Sequence, residues 1–591
     1  MREKWILQTK KADFEAIGKK FHISPVLARI MVNRNVKEEE AIRTYLYGEL
    51  TDLHNPHLMK DLDGAVKRIA EEAEQKKMIA IATDYDNDGL LSAYTLKKAI
   101  ETIGGKAEVF APDRVAEGYG LNNRIVEDAY HTGARLLVTC DNGIAAISAI
   151  AYAKEKGMDV IVTDHHEVQF EEQEDGNRKF ILPDADYIVN PKQADCMYPF
   201  KGLCGAGVVF KIIQVLYEQY NIPKAQLENL LQYTAIATVA DVMDLTDENR
   251  IIVKKGLALL KDTDNLGLEA LIEANQLDKN RISAYHIGFV IGPCFNAAGR
   301  LETVKKAFDL LETKTKEEAD ERAVSLKALN DSRKDMTLKG VEQAVELIEH
   351  TELIHDKVLL VKLENTHESL AGIIAGRIRE IYHKPIIVFT DTEEGIKGSG
   401  RSIEVYNMFE ELLKCKALLS KFGGHPMAAG LSLPLENLEP LRKQLNENAA
   451  LTEEDFIPVI KIDVPMPIGY ISEKFVEELE YLEPFGKANP KPVFAEQHFS
   501  IIAGNIIGKN KNVWKGRIRN RAGDVIEAIY FGDIDRFMDF MKEEYGAVEV
   551  EQMMQGRKNN IDIAFTYYPS INEFRGEVTL QIVIQNYCRV K

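Results

Sequence analysis

Cysteine is scarce in this chain of 591 residues. The six cysteines are spread along the chain without any C-x-x-C pair, and they are Cys140, Cys196, Cys204, Cys294, Cys415 and Cys588. Disulfide-stapled domains and zinc ribbons need denser and more regular cysteine patterns. The sequence therefore excludes both classes and indicates reduced thiols.

Long apolar runs are also missing. The longest, such as residues 145–153 and 207–213, are far shorter than the roughly 18 residues that indicate a membrane span. The first residues, MREKWILQTKKADF, contain no apolar core followed by a small-residue cleavage site, which a secretory signal requires. We therefore expect no membrane association and a cytoplasmic location.

The glycine-dependent nucleotide motifs are incomplete. No G-K-[ST] triplet occurs, so a P-loop is excluded and ATP is not expected. The stretches 205–210 (GAGVVF) and 118–123 (GYGLNN) begin like a dinucleotide-binding fingerprint, but Phe210 and Asn123 replace its last glycine. The sequence therefore predicts no nucleotide-driven motor.

Basic residues are outnumbered by acidic ones, since 74 Lys and Arg against 93 Asp and Glu give 74 − 93 = −19. This balance excludes a protein that coats nucleic acid over its whole surface, because phosphate binding requires Lys and Arg. It is compatible with an enzyme whose carboxylates hold divalent cations and whose local basic segments guide the substrate.

Hydrophobic periodicity indicates several domains, as expected for this length. From about residue 56 to 200, apolar runs of strand length alternate with amphipathic stretches of helical length. This alternation predicts a parallel sheet with helices on both faces. The predicted strands are 78–83, 107–111, 136–140 and 160–163, and the predicted helices are 89–104, 123–133 and 144–157.

A second, smaller α/β unit follows a long charged segment. Residues 301–350 have apolar residues at helical spacing and no proline, which predicts a connecting helix. Strands at 357–362 and 385–389 flank a helix at 371–382, and short alternating segments after about 455 predict a terminal β-barrel. The predicted boundaries are 1–55 for an N-terminal extension, then 56–300, 301–350, 351–450 and 451–591.

Three of the predicted strands end in acidic or imidazole residues, in the motifs DYDNDG (84–89), CDNG (140–143) and TDHH (163–166). Ligands of open α/β sheets bind beyond the carboxyl ends of the strands, so these groups should converge. Converging carboxylates repel one another unless cations are bound, and oxygen with imidazole ligands suits Mn²⁺ or Mg²⁺ better than structural zinc. Two such ions activate water for displacement at phosphorus, which indicates a phosphoesterase.

The alternative for DYDNDG is a calcium-binding EF-hand loop. Such a loop needs a bidentate Glu at its twelfth position, which is Thr95 here, and a helix before it. A predicted strand precedes the motif instead, so the calcium interpretation is disfavoured.

The order of six motifs resembles the DHH phosphoesterase superfamily. They are DYDNDG, CDNG, TDHH, KGLCGAGV (201–208), TVADVMDL (238–245) and FNAAGRL (295–301). Farther on, GSGRS (398–402) and FGGHPMAAG (422–430) resemble its DHHA1 partner domain, and LEPFGKANPKPVF (482–494) resembles the segment that leads into the terminal β-domain of the RecJ family. The resemblance implies a multidomain α/β protein with a parallel-sheet DHH lobe, a smaller α/β DHHA1 lobe joined to it by a long helix, and a C-terminal OB-like β-barrel.

The same resemblance implies a single-stranded-DNA-specific 5′→3′ exonuclease that releases 5′-mononucleotides and acts in DNA repair and recombination. Candidate protein partners are then a helicase or a single-strand-binding protein. Two alternatives stay open, namely a phosphatase or oligoribonuclease acting on short nucleotides and a non-catalytic DNA-binding replication scaffold. The terminal segment 455–591 disfavours the first, and the complete set of acids disfavours the second.

Carried over position by position, the resemblance implies five ligands for two Mn²⁺ or Mg²⁺ ions, namely Asp84, Asp86, Asp141, His165 and Asp241. Asp141 is expected to bridge the ions, and His166 is expected to lie near the scissile phosphate. Asp88 and Asp164 are expected to support the ligands. Many relatives carry His and Gly before the first aspartate, whereas this chain has Ala82 and Thr83 and so lacks that imidazole.

Four residues are candidates for binding the phosphates of the nucleic-acid backbone, namely Arg114, Arg300, Ser399 and Arg401. Arginine suits this role because its guanidinium donates two parallel hydrogen bonds. The resemblance implies that Arg114, Ser399 and Arg401 recognise the terminal 5′-phosphate. For each arginine alone, the alternative is a surface salt bridge.

The segment 509–521 (KNKNVWKGRIRNR) is basic and contains no acid. On a strand, Arg517 and Arg519 share a face, and they are expected to bind the backbone of single-stranded DNA. Trp514 is expected to provide an aromatic platform for base stacking. The alternative is an edge strand that positive charge protects from aggregation.

Overall fold

The structure is a computed structural model that describes residues 3–112, 117–118, 120–173, 178–393, 395–574 and 576–590. It divides into two units. One is formed by residues 53–458, and the other by residues 3–52 together with the chain from Val459 onward. Within these described ranges, no helix is both long and apolar enough to cross a bilayer.

The N-terminal segment is helical apart from one short strand. Its elements are β1 (Lys4–Leu7), α1 (Phe14–Phe21), α2 (Pro25–Asn33) and α3 (Glu39–Tyr47). Asp13 caps α1 by accepting a hydrogen bond from the Ala16 amide, and Ser24 caps α2 directly before Pro25. The apolar faces of these helices pack with the C-terminal barrel described below.

Strands and helices alternate in the first lobe of residues 53–458. The elements are α4 (Leu62–Glu74), β2 (Met78–Thr83), α5 (Asn87–Thr102), β3 (Lys106–Phe110), α6 (Asn123–His131), β4 (Leu136–Cys140), α7 (Ile147–Glu155), β5 (Asp159–Thr163), β6 (Phe170–Glu172), β7 (Arg178–Phe180) and β8 (Tyr187–Val189). Five strands form a parallel sheet in the order β3-β2-β4-β5-β8, which brings the carboxyl ends of β2, β4 and β5 to one edge. This sheet is the parallel α/β lobe that the sequence predicts.

Two helices of this lobe begin at other residues than the sequence predicts. Helix α5 begins at Asn87 rather than at 89, because the Asp86 carboxylate caps it by accepting from the amides of Asp88 and Gly89. Helix α7 begins at Ile147 rather than at 144, because residues 143–146 form a turn closed by a backbone hydrogen bond.

Helices complete the first lobe and lead to the second. They are α8 (Gly205–Gln219), α9 (Lys224–Asn229), α10 (Leu231–Ala240), α11 (Asp247–Leu260), α12 (Leu266–Ala274), α13 (Ala284–His286), a π-helical segment (Ile287–Ile291), α14 (Gly292–Leu301), α15 (Lys305–Leu311) and α16 (Lys316–Glu349). Thr315 caps α16, which runs for 34 residues, or about 50 Å. This is the long connecting helix, although it occupies only the later part of the predicted range 301–350.

The second lobe is a smaller mixed sheet with helices. Its elements are β9 (Leu359–Lys362), α17 (Ala371–Tyr382), β10 (Ile386–Thr392), β11 (Gly395–Arg401), α18 (Met408–Lys414), β12 (Lys421–His425), β13 (Ala428–Leu433) and α19 (Leu438–Asn448). The strand order is β12-β13-β11-β10-β9, and the pair β9–β10 is parallel while the other pairs are antiparallel.

The chain from Val459 onward forms a closed barrel. Its elements are β14 (Val459–Ile462), β15 (Val464–Pro465), α20 (Glu473–Glu478), β16 (Phe494–Ile507), β17 (Val513–Arg519), β18 (Val525–Tyr530), α21 (Ile534–Tyr545), α22 (Ala547–Met554), β19 (Ile563–Phe574) and β20 (Glu577–Arg589). Strands β16, β17, β18, β20 and β19 pair in that order, and β19 pairs back with β16. The predicted fold class, two α/β lobes joined by a long helix and followed by an OB-like barrel, is confirmed.

Candidate functional site

The acidic and imidazole groups at the strand ends of the first lobe do converge. Asp141 follows β4 and His165 follows β5, and the His165 Nε2 lies 3.0 Å from the Asp141 Oδ1. Asp241 joins them from the end of α10, with its Oδ2 3.7 Å from the same nitrogen. Asp84 follows β2 and is fully buried. Residues that are distant in sequence therefore form one acidic pocket at the edge of the parallel sheet.

The backbone holds Asp141 in an unusual conformation. Its φ is +61°, in the left-handed region, and its amide donates to the Thr163 carbonyl at 3.0 Å. The N-terminus of α8 lies directly against it, because a Cβ atom on Gly205 would be only 2.7 Å from the Asp141 Cβ. Glycine is therefore required at position 205 for α8 to approach the pocket.

The two later acids of the DYDNDG motif have different roles. Asp86 caps α5 and so has a fixed orientation. Asp88 is buried and turns toward α8, where its Oδ2 accepts from the Gly205 amide at 2.6 Å and its Oδ1 accepts from the Ala206 amide at 2.7 Å. Its Oδ2 is also 3.6 Å from the His165 Nε2. Asp88 therefore holds the N-terminus of α8 against the pocket, and its supporting role stays a prediction, since its carboxylate is also close enough to His165 to share a metal ion.

Asp164 supports the neighbouring histidines. Its Oδ2 accepts from the Ile144 amide at 2.9 Å, and its Oδ1 lies 2.7 Å from the His166 Nδ1. Burial opposes the charged form of His166, but the hydrogen bond to Asp164 and the charges of Asp164, Asp241 and Asp88 together raise the pKa of His166 to about 9. Burial lowers the pKa of His165, which favours the neutral imidazole that binds metal ions.

The pocket brings several buried carboxylates close together. Burial, and then the carboxylates of Asp88 and Asp86, raise the pKa of Asp141 well above its usual range. Two sets of side chains could each hold a metal ion, because the potential ligand atoms within each set all lie within 4.8 Å of one another. One set is Asp141, His165 and His166, and the other is Asp88, His165 and Asp241. These oxygen and imidazole donors fit divalent Mn²⁺ or Mg²⁺.

Two predicted phosphate-binding residues lie together in the second lobe. Ser399 and Arg401 are on β11, next to the N-terminus of α17. A Cβ atom on Gly372 would be 2.8 Å from the Ser399 Oγ and 2.9 Å from the Arg401 Nη2. Burial, and then the charge of Arg379, lower the pKa of Arg401. A hydroxyl, a guanidinium and the amides of a helix N-terminus thus share one small volume, which suits an anion.

The other two predicted phosphate-binding residues differ from this pair. Arg300, on α14, donates from its Nη1 to the Ser369 carbonyl of the second lobe at 2.8 Å. It therefore connects the two lobes, and its contact with phosphate stays a prediction. Arg114 lies outside the described residues.

The predicted stacking role of Trp514 is wrong. Its side chain is fully buried in the barrel and packs edge-on against Phe537, with ring centroids 5.5 Å apart. Arg517 and Arg519 are exposed on the opposite face of β17, as predicted. The Arg517 Nε lies 3.6 Å from Glu527 on the neighbouring strand, which reduces the positive charge of this face.

Sequence reasoning missed Gly205 and Gly372, whose lack of a side chain lets two helix N-termini approach functional residues. The sequence carries a signal for the first, since Gly205 and Gly207 belong to the motif KGLCGAGV. Gly372 stands at the start of the predicted helix 371–382, but nothing there indicates what that helix approaches. The contact depends on the fold of the second lobe.

Family models match three stretches of the chain. They are the DHH family N-terminal domain at residues 78–238, the DHHA1 domain at residues 355–450 and the RecJ OB domain at residues 462–586.

Relatives named RecJ match most of the chain. The single-stranded-DNA-specific exonuclease RecJ of Bacillus subtilis is 37% identical over 527 residues, which cover 88% of this chain and 65% of that protein. The protein of the same name from Haemophilus influenzae is 31% identical over 589 residues, which cover 96% of this chain and 97% of the relative. The crystal structure of RecJ in complex with Mn²⁺ from Thermus thermophilus has the same fold, with a TM-score of 0.81 at 23% identity, and the match covers 100% of this chain and 80% of that one.

Proposed function

Because the chain belongs to the RecJ family of single-stranded-DNA-specific exonucleases, we propose that it hydrolyses single-stranded DNA from the 5′ end, releases 5′-mononucleotides and acts in DNA repair and recombination. The observation that carries this proposal is the convergence of Asp141, His165 and Asp241 in a buried acidic pocket. Such a pocket is the site of a metal-dependent phosphodiester hydrolase.

Five residues would hold two Mn²⁺ or Mg²⁺ ions, namely Asp84, Asp86, Asp141, His165 and Asp241. When bound, the ions supply the positive charge that activates water and offsets the charge developing on the phosphate. The protein orients the carboxylates before the substrate arrives, through the cap at α5 and the Thr163 contact of Asp141. Little reorganisation is then needed when the bond is cut.

His166 is proposed to lie near the scissile phosphate. The Asp164 carboxylate lies 2.7 Å from its Nδ1, and the raised pKa keeps the imidazole charged at neutral pH, which would offset the negative charge of a phosphate. The short carboxylate contact also fixes the orientation of the ring.

The preference for a 5′ end would come from the second lobe. Ser399, Arg401 and the amides at the start of α17 form an anion site that suits a terminal phosphate. Arg114 is proposed to contribute from the first lobe. The hydrogen bond from Arg300 to Ser369 would keep the two lobes at the spacing that one strand requires.

The exposed face of β17 would bind the backbone of the single-stranded DNA through Arg517 and Arg519.

A single-strand-binding protein or a helicase is proposed as a partner, since either supplies the single-stranded DNA that this enzyme requires. We place the activity in the cytoplasm, where reduced thiols such as the six free cysteines of this chain persist.

Digestion of end-labelled DNA tests the proposal. Single-stranded oligonucleotides labelled at either end are incubated with Mn²⁺ or Mg²⁺ and the native chain, Asp141→Ala or Asp320→Ala. Asp320 lies on the exposed face of α16 and is the matched control. We expect the native chain and Asp320→Ala to release mononucleotides from the 5′ end, and Asp141→Ala to release none.

Other results would contradict specific parts of the proposal. Release from the 3′ end alone would reject the polarity, and equal activity in Asp141→Ala would reject the site. Hydrolysis restricted to dinucleotides would favour a short-nucleotide phosphatase, and binding without hydrolysis would favour a replication scaffold.

A further inference from the structure

Three large apolar side chains are exposed beside the metal pocket. Val242 directly follows the predicted ligand Asp241, and 61% of its surface is exposed. Tyr285 and Phe289 are 63% and 60% exposed. Tyr285 lies on α13, and Phe289 lies on the π-helical segment that follows it and packs along α10. Single exposed apolar residues are common, but several at one place indicate a binding surface. We call these three residues the apolar lip.

The stability of the fold does not explain why residue 242 is a valine, because its backbone conformation is unfavourable for a β-branched side chain. Helix α10 ends with hydrogen bonds from the Val242 amide to the Val239 carbonyl and from the Met243 amide to the Thr238 carbonyl, each 3.1 Å long. This arrangement places residue 242 in the left-handed region, with φ of +55°, where glycine is favoured and a β-branched residue is an outlier. Because the Val242 side chain is mostly exposed, its burial does not offset the cost of this backbone conformation. A contact with a ligand would account for the valine.

Tyr285 and Phe289 form an exposed aromatic stack. Their ring centroids are 4.8 Å apart and their planes are inclined by 27°. The π-helical segment Ile287–Ile291, which includes Phe289, widens the turn that joins α13 to α14. Two nearly parallel rings thus present a rigid apolar surface to the solvent.

The stack lies next to the metal pocket because of two glycines. A Cβ atom on Gly288 would be 3.7 Å from the Val239 Cγ1, and one on Gly292 would be 3.3 Å from the Ala240 Cβ. The Gly292 carbonyl accepts from the Asn87 side-chain amide at 3.0 Å. The segment therefore runs along the last turn of α10 and ends at the DYDNDG loop, so the lip flanks the same pocket.

We propose that the apolar lip binds the nucleobases next to the bond being cut, by stacking on the two rings and by contact with Val242. This inference rests on the exonuclease function proposed above. Aromatic rings stack on any base, which suits an enzyme that must remove every nucleotide in turn. A specific protein partner would need roughly 20–30 residues on each side, far more than this patch offers.

Abasic substitution in the substrate tests the contact directly. Oligonucleotides with a 5′-phosphate, each lacking one base at a successive position from that end, are digested with Mn²⁺ under single-turnover conditions. For the native chain we expect one or two positions to slow cleavage by roughly tenfold, which is typical of losing one stacked base. The other positions should match the intact strand.

Protein variants complete a double-mutant cycle with these substrates. Tyr285→Ala and Phe289→Ala should cleave the intact strand roughly tenfold more slowly, with no further loss at the sensitive positions, because both changes remove the same contact. Phe170→Ala removes a half-exposed ring of the β6–β7 hairpin and is the matched control. It should keep the native profile.

Val242→Gly separates binding from folding. Glycine relieves the left-handed backbone, so the thermal unfolding temperature should stay the same or rise, while cleavage of the intact strand slows severalfold. An unchanged cleavage rate in this variant would reject the proposed role of the apolar lip. The same conclusion would follow if the native chain digested intact strands but cleaved all abasic strands equally fast, or if the losses in the double-mutant cycle were additive. Failure of the native chain to digest intact strands would instead reject the exonuclease function.

Discussion

At the scale of single residues, Asp141 shows how the pocket is destabilised when no metal is bound. Its carboxylate is buried beside those of Asp88 and Asp86, and burial followed by these charges raises its pKa. A carboxyl group whose folded pKa is raised weakens the fold as pH rises above its unfolded pKa, because the unfolded chain then releases a proton that the folded chain still holds. A bound cation removes this penalty.

We therefore expect Asp141→Asn to stabilise the protein in the presence of chelator at neutral pH. The amide keeps the shape of the side chain and removes one charge, and the unfolding temperature should rise by on the order of 2 °C. Added Mn²⁺ should raise the unfolding temperature of the native chain but not that of the variant, since only the native chain keeps the ligand. Differential scanning calorimetry measures both effects. A variant that is less stable without metal, yet still responds to Mn²⁺, would contradict this account.

His166 gives the opposite dependence on pH. Burial lowers its pKa, but the Asp164 hydrogen bond and the charges of the nearby carboxylates together raise it to about 9. The stabilising effect of the charged imidazole is therefore complete below its unfolded pKa of about 6.5 and disappears as pH rises through about 9. In chelator, the native chain should unfold at a higher temperature than His166→Gln near pH 6, and the difference should vanish near pH 10. The exposed His131→Gln corrects for loss of a surface imidazole. A difference that is constant with pH would contradict the expectation.

Residue types in the motifs were sufficient to predict where the acidic pocket lies, because parallel strands bring their carboxyl ends to one edge. They were not sufficient to assign each acid. The Asp88 carboxylate binds the amides of Gly205 and Ala206, more than a hundred positions later, although it lies in the same pocket. No local pattern contains that information.

At the scale of secondary-structure elements, the approach of α8 to the sheet determines the geometry of the pocket. The first turn of α8 binds Asp88 through two amides and lies against Asp141 through Gly205. A side chain at position 205 would force either α8 or Asp141 to move.

Gly205→Ala should therefore weaken Mn²⁺ binding at least tenfold, which corresponds to about 1.4 kcal/mol, and should reduce cleavage accordingly. Gly376→Ala in the middle of α17 is the control, since no described atom other than those of its chain neighbours and its own helix backbone lies within 4 Å of its added Cβ. That control should keep its activity and gain roughly 0.5–1 kcal/mol of stability. Isothermal titration with Mn²⁺ compares the two. Equal affinities would show that α8 tolerates the added methyl group.

The two faces of β17 could have been separated from the sequence alone. Side chains alternate along a strand, so Trp514, Gly516 and Ile518 face one way while Arg517 and Arg519 face the other. The basic face was predicted correctly, but the tryptophan was assigned to it in error. Applying the period of two to every residue of the segment would have placed Trp514 in the core.

Substitutions on the two faces should have different effects. Arg517→Ala combined with Arg519→Ala should leave the unfolding temperature unchanged and weaken binding of single-stranded DNA, with the slope of log K against log salt reduced by about 0.7 for each lost phosphate contact. Trp514→Ala should destabilise the barrel by roughly 3–5 kcal/mol, as large buried aromatics do. Binding is measured in chelator, where the strand is not cut. A salt slope unchanged by the arginine substitutions would rule out their contact with the backbone.

At the scale of the whole molecule, the N-terminal segment belongs with the C-terminal barrel. Strand β1 pairs in parallel with β14, and the Asn33 side chain donates to the Asp463 carbonyl at 3.1 Å. Leu27, Ile30 and Met31 are buried in one core with the barrel residues. The sequence set this segment apart as an extension, because an amphipathic helix shows that one face must be covered without showing by what.

Cutting the chain between Asp52 and Leu53 tests this association, because the cut separates the segment from residues 53–458 and leaves its contacts with the barrel intact. A protease site is inserted there, and the cleaved protein is analysed by size-exclusion chromatography. Each fully buried Leu, Ile or Met side chain contributes roughly 1.5–3 kcal/mol, so the fragment should co-elute with the rest of the chain. Leu27→Asp together with Ile30→Asp places charge in that core, and the fragment should then separate. Release of the native fragment under the same conditions would show that the covalent connection, rather than the shared core, holds the segment in place.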